Sequence, residues 1–374
     1  MGSGSVGQVW LFGRRTDLAV FAGSAAVSAL LVALAPWLGL EGDTPLWAWA
    51  LLVLGVDVAH VWSTVFRVYL DREELARRPL LYAGAPAVLY ALGVFAHEDS
   101  PETFWRLLAY AALYHFVRQQ YGWVRLYGRK AGAPALDLRL DALAIYAGTL
   151  GPAVWWHANL PRPFWWFVPG DFASGLPRWV GDGALAMAWA LLAAWALRQG
   201  LLWRSGRTVQ VGKVLLVVAT WVAWYGGIVL ARGDFAFTVM NVVLHGVPYF
   251  VLLYRYGRSR AGTPGYRVGT VILKAGAFGF AAFLVAIAYA EELLWDRLVW
   301  HERPTLFGAD GPTLSGLALS LAVPLLALPQ ATHYLLDAFI WRPSRDAQVA
   351  HRLGLSVSPE PALSHSPSLN GVQV

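Results

Sequence analysis

The sequence contains no cysteine, and this absence excludes several kinds of site. Without thiols the chain cannot form a disulfide framework or a thiolate-bound metal site. Haem attached covalently through a Cys-x-x-Cys-His motif is excluded for the same reason.

Charged residues are also scarce, at 14% of 374 residues, whereas 57% of the residues are hydrophobic. A soluble domain carries about 25% charged residues, so the composition predicts that lipid rather than water surrounds most of the chain. The 20 Trp and 15 Tyr agree with this prediction, because both residue types concentrate at bilayer interfaces. Arginine greatly outnumbers lysine, which together with the many Ala and Leu residues is typical of GC-rich bacterial genomes. We therefore expect a multi-pass protein of a bacterial inner (cytoplasmic) membrane.

Nucleotide-binding motifs are missing as well. The glycines form neither a Walker phosphate loop nor a dinucleotide fingerprint. The net charge of +6 is spread over short loops between apolar segments, where membrane topology requires basic residues. It therefore does not indicate a nucleic-acid partner.

The apolar segments predict an all-α polytopic transmembrane helix bundle of about ten spans. A helix needs about 20 mostly apolar residues to cross the hydrocarbon layer, and such runs are too long to be the strands of a membrane barrel. The predicted spans are residues 17–40, 46–66, 79–96, 105–124, 141–157, 180–198, 212–231, 235–255, 268–290 and 312–341.

The basic residues predict the orientation of these spans. Alternate connections, including both chain ends, hold 21 Lys and Arg in total, whereas the other set holds five. Because basic loops remain in the cytoplasm, both termini are predicted to be cytoplasmic. The domain organisation is then a cytoplasmic segment 1–16, a ten-span membrane domain 17–341 and a polar cytoplasmic tail 342–374 that we expect to be disordered.

Four of the nine histidines fall inside predicted spans, namely His60, His115, His245 and His333. They lie on the second, fourth, eighth and tenth spans, which all run in the same direction. Each precedes the first cytoplasmic arginine by 7 to 10 residues, or roughly 10–15 Å at the rise of an α-helix. Four imidazoles at one depth on parallel helices can converge on one metal ion, with their ring nitrogens within about 4 Å of one another.

Polar residues accompany each of these histidines at helical spacing. Ligating imidazoles usually donate their second N–H to a carboxylate or carbonyl group. The predicted companions around the metal are Gln119, Asn241, Tyr249 and Gln330. The predicted catalytic residues are Asp57, Arg118 and Asp337. We expect Arg118 to be buried and paired with a carboxylate, because an unpaired cation inside a membrane is costly.

The number of ligands favours iron as the metal. Zinc with four histidines would be a closed structural site, whereas iron accepts five or six ligands and retains room for dioxygen and substrate. If only three histidines bind, zinc with an activated water is an alternative cofactor. The membrane location predicts a lipid or another hydrophobic small molecule as substrate. An oxidoreductase would also require a redox partner.

The arrangement resembles that of histidine-rich membrane iron enzymes, such as fatty-acid desaturases and bacterial carotenoid-cleaving oxygenases. Desaturases carry paired histidines at i and i+3 or i+4, which do not occur here. The carotenoid-cleaving enzymes hold iron with four single histidines, but their local motifs do not match these segments. The resemblance therefore covers four positions and an architecture, and it implies an iron-dependent oxygenase or desaturase-like activity.

Two further functions remain open at the level of sequence. One is a zinc-dependent hydrolase of a lipid amide or ester, with Asp57 or Asp337 as general base. The other is a non-enzymatic protein that transfers electrons through haem, or that transports a solute with intramembrane histidines as a proton relay. A fourth interpretation is that the histidines only pack or form hydrogen bonds between helices; ring nitrogens more than about 8 Å apart, or protein without stoichiometric metal, would favour it.

Overall fold

A computed structural model describes residues 7–309, 311–342 and 347–352. Within these residues the chain is helical and contains no strand. Its ten long helices in the described part of the chain are α1 Arg14–Leu38, α2 Leu46–Phe66, α3 Pro79–Asp99, α4 Pro101–Lys130, α5 Ala135–Ala158, α6 Arg178–Arg204, α7 Val211–Leu230, α8 Asp234–Arg260, α9 Gly276–Trp300 and α10 Gly316–Ile340. Short helices occur at Arg72–Arg77, Pro264–Tyr266, Arg267–Leu273, Pro304–Phe307 and Ala347–Arg352.

The protein is an all-α polytopic helix bundle, as predicted. Eight of the long helices in the described residues are long and apolar enough to cross a bilayer. The other two, α4 and α5, have 30 and 24 residues but contain no equally apolar stretch of sufficient length. The total of ten spans and the cytoplasmic position of both termini stay predictions.

Helix boundaries differ from the predicted ones near the C-terminal end of the chain. The predicted span 268–290 is divided, because the short helix that begins at Arg267 ends at Leu273 and α9 begins at Gly276. Gly276 has a φ of 64°, a left-handed conformation that glycine adopts without a steric penalty. Most of the predicted tail 342–374 lies outside the described residues.

Helix α8 occupies the centre of the bundle, because 78% of its most apolar stretch of 18 residues is buried. It contacts α2 and α4, and α10 contacts the same two helices on the other side. The four helices that carry the intramembrane histidines are therefore mutual neighbours.

A glycine sets the close approach of α8 to α2. A Cβ atom at Gly246 would lie 2.6 Å from Cγ1 of Val56 and 3.7 Å from the Cβ of His60. The first of these distances is too short for a real contact, so any side chain here would push the two helices apart. Gly246 follows His245 directly, and this spacing therefore controls how near His245 comes to His60.

A buried polar cluster fixes the loop that follows α2 to the end of α8. Arg260 donates two hydrogen bonds to Asp71, with N–O distances of 2.6 and 2.9 Å, and Tyr256 donates a third of 2.7 Å. Burial raises the pKa of Asp71, but these hydrogen bonds outweigh burial and hold its pKa below the ordinary value. The cluster thus contains a carboxylate that is stabilised in its charged form.

Candidate metal centre

The four intramembrane histidines converge on one point, with at most 3% of each residue exposed. Each contributes one ring nitrogen to a group in which all four nitrogens lie within 4.8 Å of one another. This spread is slightly wider than the predicted value of about 4 Å. The predicted convergence of His60, His115, His245 and His333 is confirmed, and the binding of a metal ion by these residues stays a prediction.

The imidazoles are arranged as two close pairs. The Nε2 atoms of His60 and His245 are 2.9 Å apart, and those of His333 and His115 are 3.1 Å apart. The rings are steeply inclined, since His60 is nearly perpendicular to both His245 and His333. In each pair the Nε2 atoms face inwards, which leaves the Nδ1 atoms for contacts with the surrounding helices.

Three of the outward Nδ1 atoms have an oxygen nearby. The Nδ1 of His333 forms a 2.7 Å hydrogen bond with the hydroxyl of Thr64. The Nδ1 of His60 is 3.6 Å from Asp57, and that of His115 is 3.9 Å from Asp337. The predicted carboxylates thus lie beside the histidines, at distances longer than a direct hydrogen bond.

His245 has an aromatic neighbour instead of a polar one. The ring of Phe116 stacks on it, with centroids 3.5 Å apart and an interplanar angle of 10°. Among the described residues, the Nδ1 of His245 has no hydrogen-bond partner. Phe116 therefore limits the rotation of this imidazole through its flat face.

Tyr249 connects both sides of the centre. Its hydroxyl donates a hydrogen bond to Asp337 and lies 3.4 Å from the hydroxyl of Thr64. The indole N–H of Trp341 donates to the same hydroxyl at 3.3 Å. Helical spacing predicts that Tyr249 accompanies His245, but its hydroxyl joins the residues that surround His333 and His115.

The three predicted amide companions do not bond to the histidines. Asn241 donates to the carbonyl of Phe237 on its own helix at 2.8 Å, and its buried Oδ1 has no partner within the described residues. Both side-chain polar atoms of Gln119 are likewise buried without a partner in the described chain. Gln330 is half-buried and forms no hydrogen bond with any of the four rings. The roles of these residues stay predictions.

The prediction that Arg118 is buried and paired with a carboxylate is wrong. Its side chain is exposed, donates a 2.6 Å hydrogen bond to the hydroxyl of Tyr146 and lies 4.4 Å from the ring centroid of Tyr121. Residues three apart on an α-helix differ by about 60° in direction, and Arg118 is exposed although His115 is buried. Tyr146 and Tyr121 contact the guanidinium in place of a carboxylate.

A cavity of about 300 Å³ begins beside the histidines. Its inner part is lined by His115, Asp337 and Tyr249, and aromatic residues and arginines line the remainder. Small-molecule sites have volumes of about 300 Å³ or more. His115 is therefore the histidine through which the centre borders a cavity of ligand size.

The sequence prediction misses Thr64, Phe116 and Tyr334. Thr64 lies four residues after His60, on the same helix face, and this spacing is a usable signal. Phe116 stacks on His245, and Tyr334 stacks on His115 with centroids 4.9 Å apart. These aromatic contacts cross between helices, so no local spacing indicates them.

Comparisons with known proteins assign no family to the chain. No family model matches it, and no solved structure matches it. A stretch of 114 residues is 32% identical to an alpha-(1->3)-arabinofuranosyltransferase from Mycolicibacterium smegmatis. This stretch covers 30% of the present chain and 7% of that protein. The similarity is thus confined to a small part of a much longer protein.

Proposed function

We propose that this chain is a metal-dependent membrane enzyme, a non-haem iron oxidoreductase that acts on a hydrophobic substrate. The observation that carries the proposal is the group of four buried imidazole nitrogens within 4.8 Å of one another. Ionisable side chains inside a membrane are costly and are commonly functional. Four of them at one point, beside a cavity, support a shared ligand set.

The close nitrogen pairs support a bound cation. Two Nε2 lone pairs that face each other at 2.9 or 3.1 Å repel, unless a proton or a metal ion lies between them. A proton can join only two nitrogens at a time, whereas one metal ion can accept all four lone pairs. The contacts of His333 with Thr64 and of His60 and His115 with carboxylates would orient the rings for that purpose.

The number of ligands favours iron over zinc at this centre. Four histidines would close a zinc site, because zinc in proteins is usually four-coordinate and a catalytic zinc retains an open position. An octahedral ion with four histidines retains two positions for other ligands, as non-haem iron does.

The same geometry argues against haem. A porphyrin occupies four positions around its iron and leaves room for one protein ligand on each face. Four imidazoles around one point would occupy the positions that the porphyrin needs. Electron transfer through haem is therefore the weaker alternative.

The residues at the inner end of the cavity indicate how the chain would take part in catalysis. Iron would supply the activation of dioxygen, and the chain would supply binding, exclusion of water and proton transfer. Asp337 lines the cavity, is 3.9 Å from His115 and accepts a hydrogen bond from Tyr249. It is therefore placed to exchange a proton with a ligand in the cavity. Asp57, beside His60, would orient that ring.

Metal analysis of the purified protein tests the proposal. We expect about one iron per chain, no Soret absorption band, and loss of most iron when any one of the four histidines is changed to alanine. His157→Ala is the matched control, because His157 is a half-buried histidine that bonds to Tyr110 and to the carbonyl of Ala153. His351→Ala provides a second, exposed control.

Other results would replace the proposal with one of the alternatives. Stoichiometric zinc that His333→Ala removes would favour the lipid hydrolase. Protein that carries no stoichiometric metal, even after incubation with ferrous iron, would contradict the metal centre and favour a proton relay through paired imidazoles.

A further inference from the structure

The residues that line the cavity beside His115 change in charge from one end of the cavity to the other. Its inner end contains His115, Tyr249 and Asp337, and its outer part contains four arginines, Arg118, Arg125, Arg129 and Arg342. Asp337 is the one carboxylate among the residues that line it in the described part of the chain. The cavity thus combines an acidic inner end with a strongly basic outer end.

These arginines have donor groups that no carboxylate occupies. Arg125 donates to the carbonyl of Leu138 at 3.3 Å, and Arg342 donates to the carbonyl of Ala338. Arg118 donates to Tyr146. Within the described residues none of the four arginines forms an ion pair. Each guanidinium carries five N–H groups, so most of their donors can still bind an anion.

The arginines follow one face of α4, which links the basic end to the histidines. His115, Arg118, Gly122, Arg125 and Arg129 recur at intervals of three or four residues and all line the cavity. At 1.5 Å per residue, Arg125 and Arg129 are about 15 and 21 Å from His115 along the helix. A ligand that reaches from the arginines to the histidines must therefore be elongated.

We propose that the substrate is an anionic amphiphile, a long hydrocarbon chain with a carboxylate or phosphate head group. Arg125, Arg129 and Arg342 bind the head group, and the chain extends past Gly122 towards His115. The guanidinium groups at the outer end fix the direction of binding, because they hold the anionic head there. As an assignment of the substrate, this inference rests on the proposed function.

Topology alone could also place arginines on this side of the membrane, so the experiment must separate a binding site from a general basic surface. The protein is reconstituted in nanodiscs of neutral phosphatidylcholine, and equilibrium binding of radiolabelled oleate is measured. The comparison ligands are oleyl phosphate, oleyl alcohol as the uncharged chain, and acetate and inorganic phosphate as head groups without a chain.

We expect oleate and oleyl phosphate to bind at least tenfold more tightly than oleyl alcohol, and the two small anions to bind far more weakly. The double variant R125Q/R129Q should lose at least tenfold of its affinity for oleate and little of its affinity for the alcohol. R258Q is the matched control, because Arg258 is an exposed arginine near the end of α8 that does not line the cavity. It should bind oleate as the wild type does.

A second pair of variants tests the path of the chain. A Cβ at Gly122 meets no atom within 4 Å, so Gly122→Leu places its side chain in open space. It should weaken oleate and oleyl alcohol alike by tenfold or more, because it narrows the cavity. Gly200→Leu on α6 is the control, since a Cβ there also meets no atom within 4 Å.

Three results would overturn the assignment. These are equal affinity for oleate and oleyl alcohol, an equal loss of oleate affinity in R258Q and in R125Q/R129Q, or acetate or phosphate binding as tightly as oleate.

Iron content measured on the same samples separates this inference from the proposed function. Selective oleate binding without iron would retain the anion-binding cavity and reject the oxidoreductase, whereas iron without selective binding would retain the oxidoreductase and reject the anion-binding cavity.

Discussion

At the scale of single residues, the hydroxyl of Thr64 orients one of the four histidines. Its 2.7 Å contact with the Nδ1 of His333 is the only hydrogen bond that a side chain of the described residues makes to an outer nitrogen of the four rings. It fixes the orientation of His333, whose Nε2 points towards His115. The hydroxyl also lies near Tyr249 and therefore belongs to the chain of groups that ends at Asp337. The ring of His333 is thus held from outside by a side chain of α2.

We expect Thr64→Val to lower the affinity for iron by about 10- to 100-fold, as is typical when a partner of a metal ligand is removed. Valine keeps the shape and removes only the hydroxyl. The measurement is a competition titration against an iron chelator. Thr149→Val is the control, because Thr149 is buried and bonds to the carbonyl of Ile145 on its own helix. Equal effects of both variants would show that Thr64 has only a structural role.

At the scale of helices, the contact of α8 with α2 determines whether His245 can reach His60. Gly246 allows this contact because its missing side chain leaves space for Val56. The π-helical turns of Trp49–Val58 come just before His60 and return to α-helix at Ala59. Turns of this kind often occur at functional sites.

Gly246→Ala should separate the two helices, with a loss of stability of about 1–3 kcal/mol, the usual cost of overpacking, and with reduced iron content. Val56→Ala in the same chain should restore much of both, because it removes the methyl group that the new Cβ would meet. Thermal unfolding and iron analysis of the single and double variants form the test. Gly84→Ala on α3 is the control, since its Cβ would meet no atom within 4 Å. Strictly additive losses in the double variant would contradict this account.

The carboxylate of Asp71, in the loop after α2, makes the stability of the fold depend on pH. The pKa of Asp71 is lowered in the folded protein, so its contribution is fully present above its ordinary pKa of about 3.8. It is lost as the pH falls from that value through the lower pKa of the folded state. We therefore expect Asp71→Asn to be less stable than the wild type at pH 7 and pH 5, and the difference to shrink below about pH 4. Unfolding followed by tryptophan fluorescence measures this difference, and a gap that widens in acid would refute the assignment.

At the scale of the whole molecule, the described helices form a membrane bundle whose orientation is still a prediction. Four loop glycines with positive φ mark points where reporter domains can be inserted, namely Gly132, Gly170, Gly262 and Gly308. Because basic loops are retained in the cytoplasm, reporters at Gly132 and Gly262 should be cytoplasmic. Reporters at Gly170 and Gly308 should lie outside. A reversed reporter at Gly132 or Gly170 would contradict the predicted crossing of α4 and α5, the two less apolar long helices.

The sequence by itself determined which segments form long helices, and it predicted that four of the histidines lie at one depth. Hydrophobicity over about 20 residues and a fixed rise per residue are local properties. For that reason the amino-acid order alone is enough to group His60, His115, His245 and His333 at one depth. Helical spacing likewise identifies Asp57 and Asp337 as their neighbours.

Only the tertiary structure decided which side chains face the centre and which face away. The rotation of a helix about its axis depends on the packing of its neighbours, and a change of about 60° between His115 and Arg118 moves a side chain from the centre to an exposed position. Contacts between helices, such as Thr64 with His333 and Phe116 with His245, join residues more than 100 positions apart. No spacing within one helix contains that information, because it arises from the way the helices pack together.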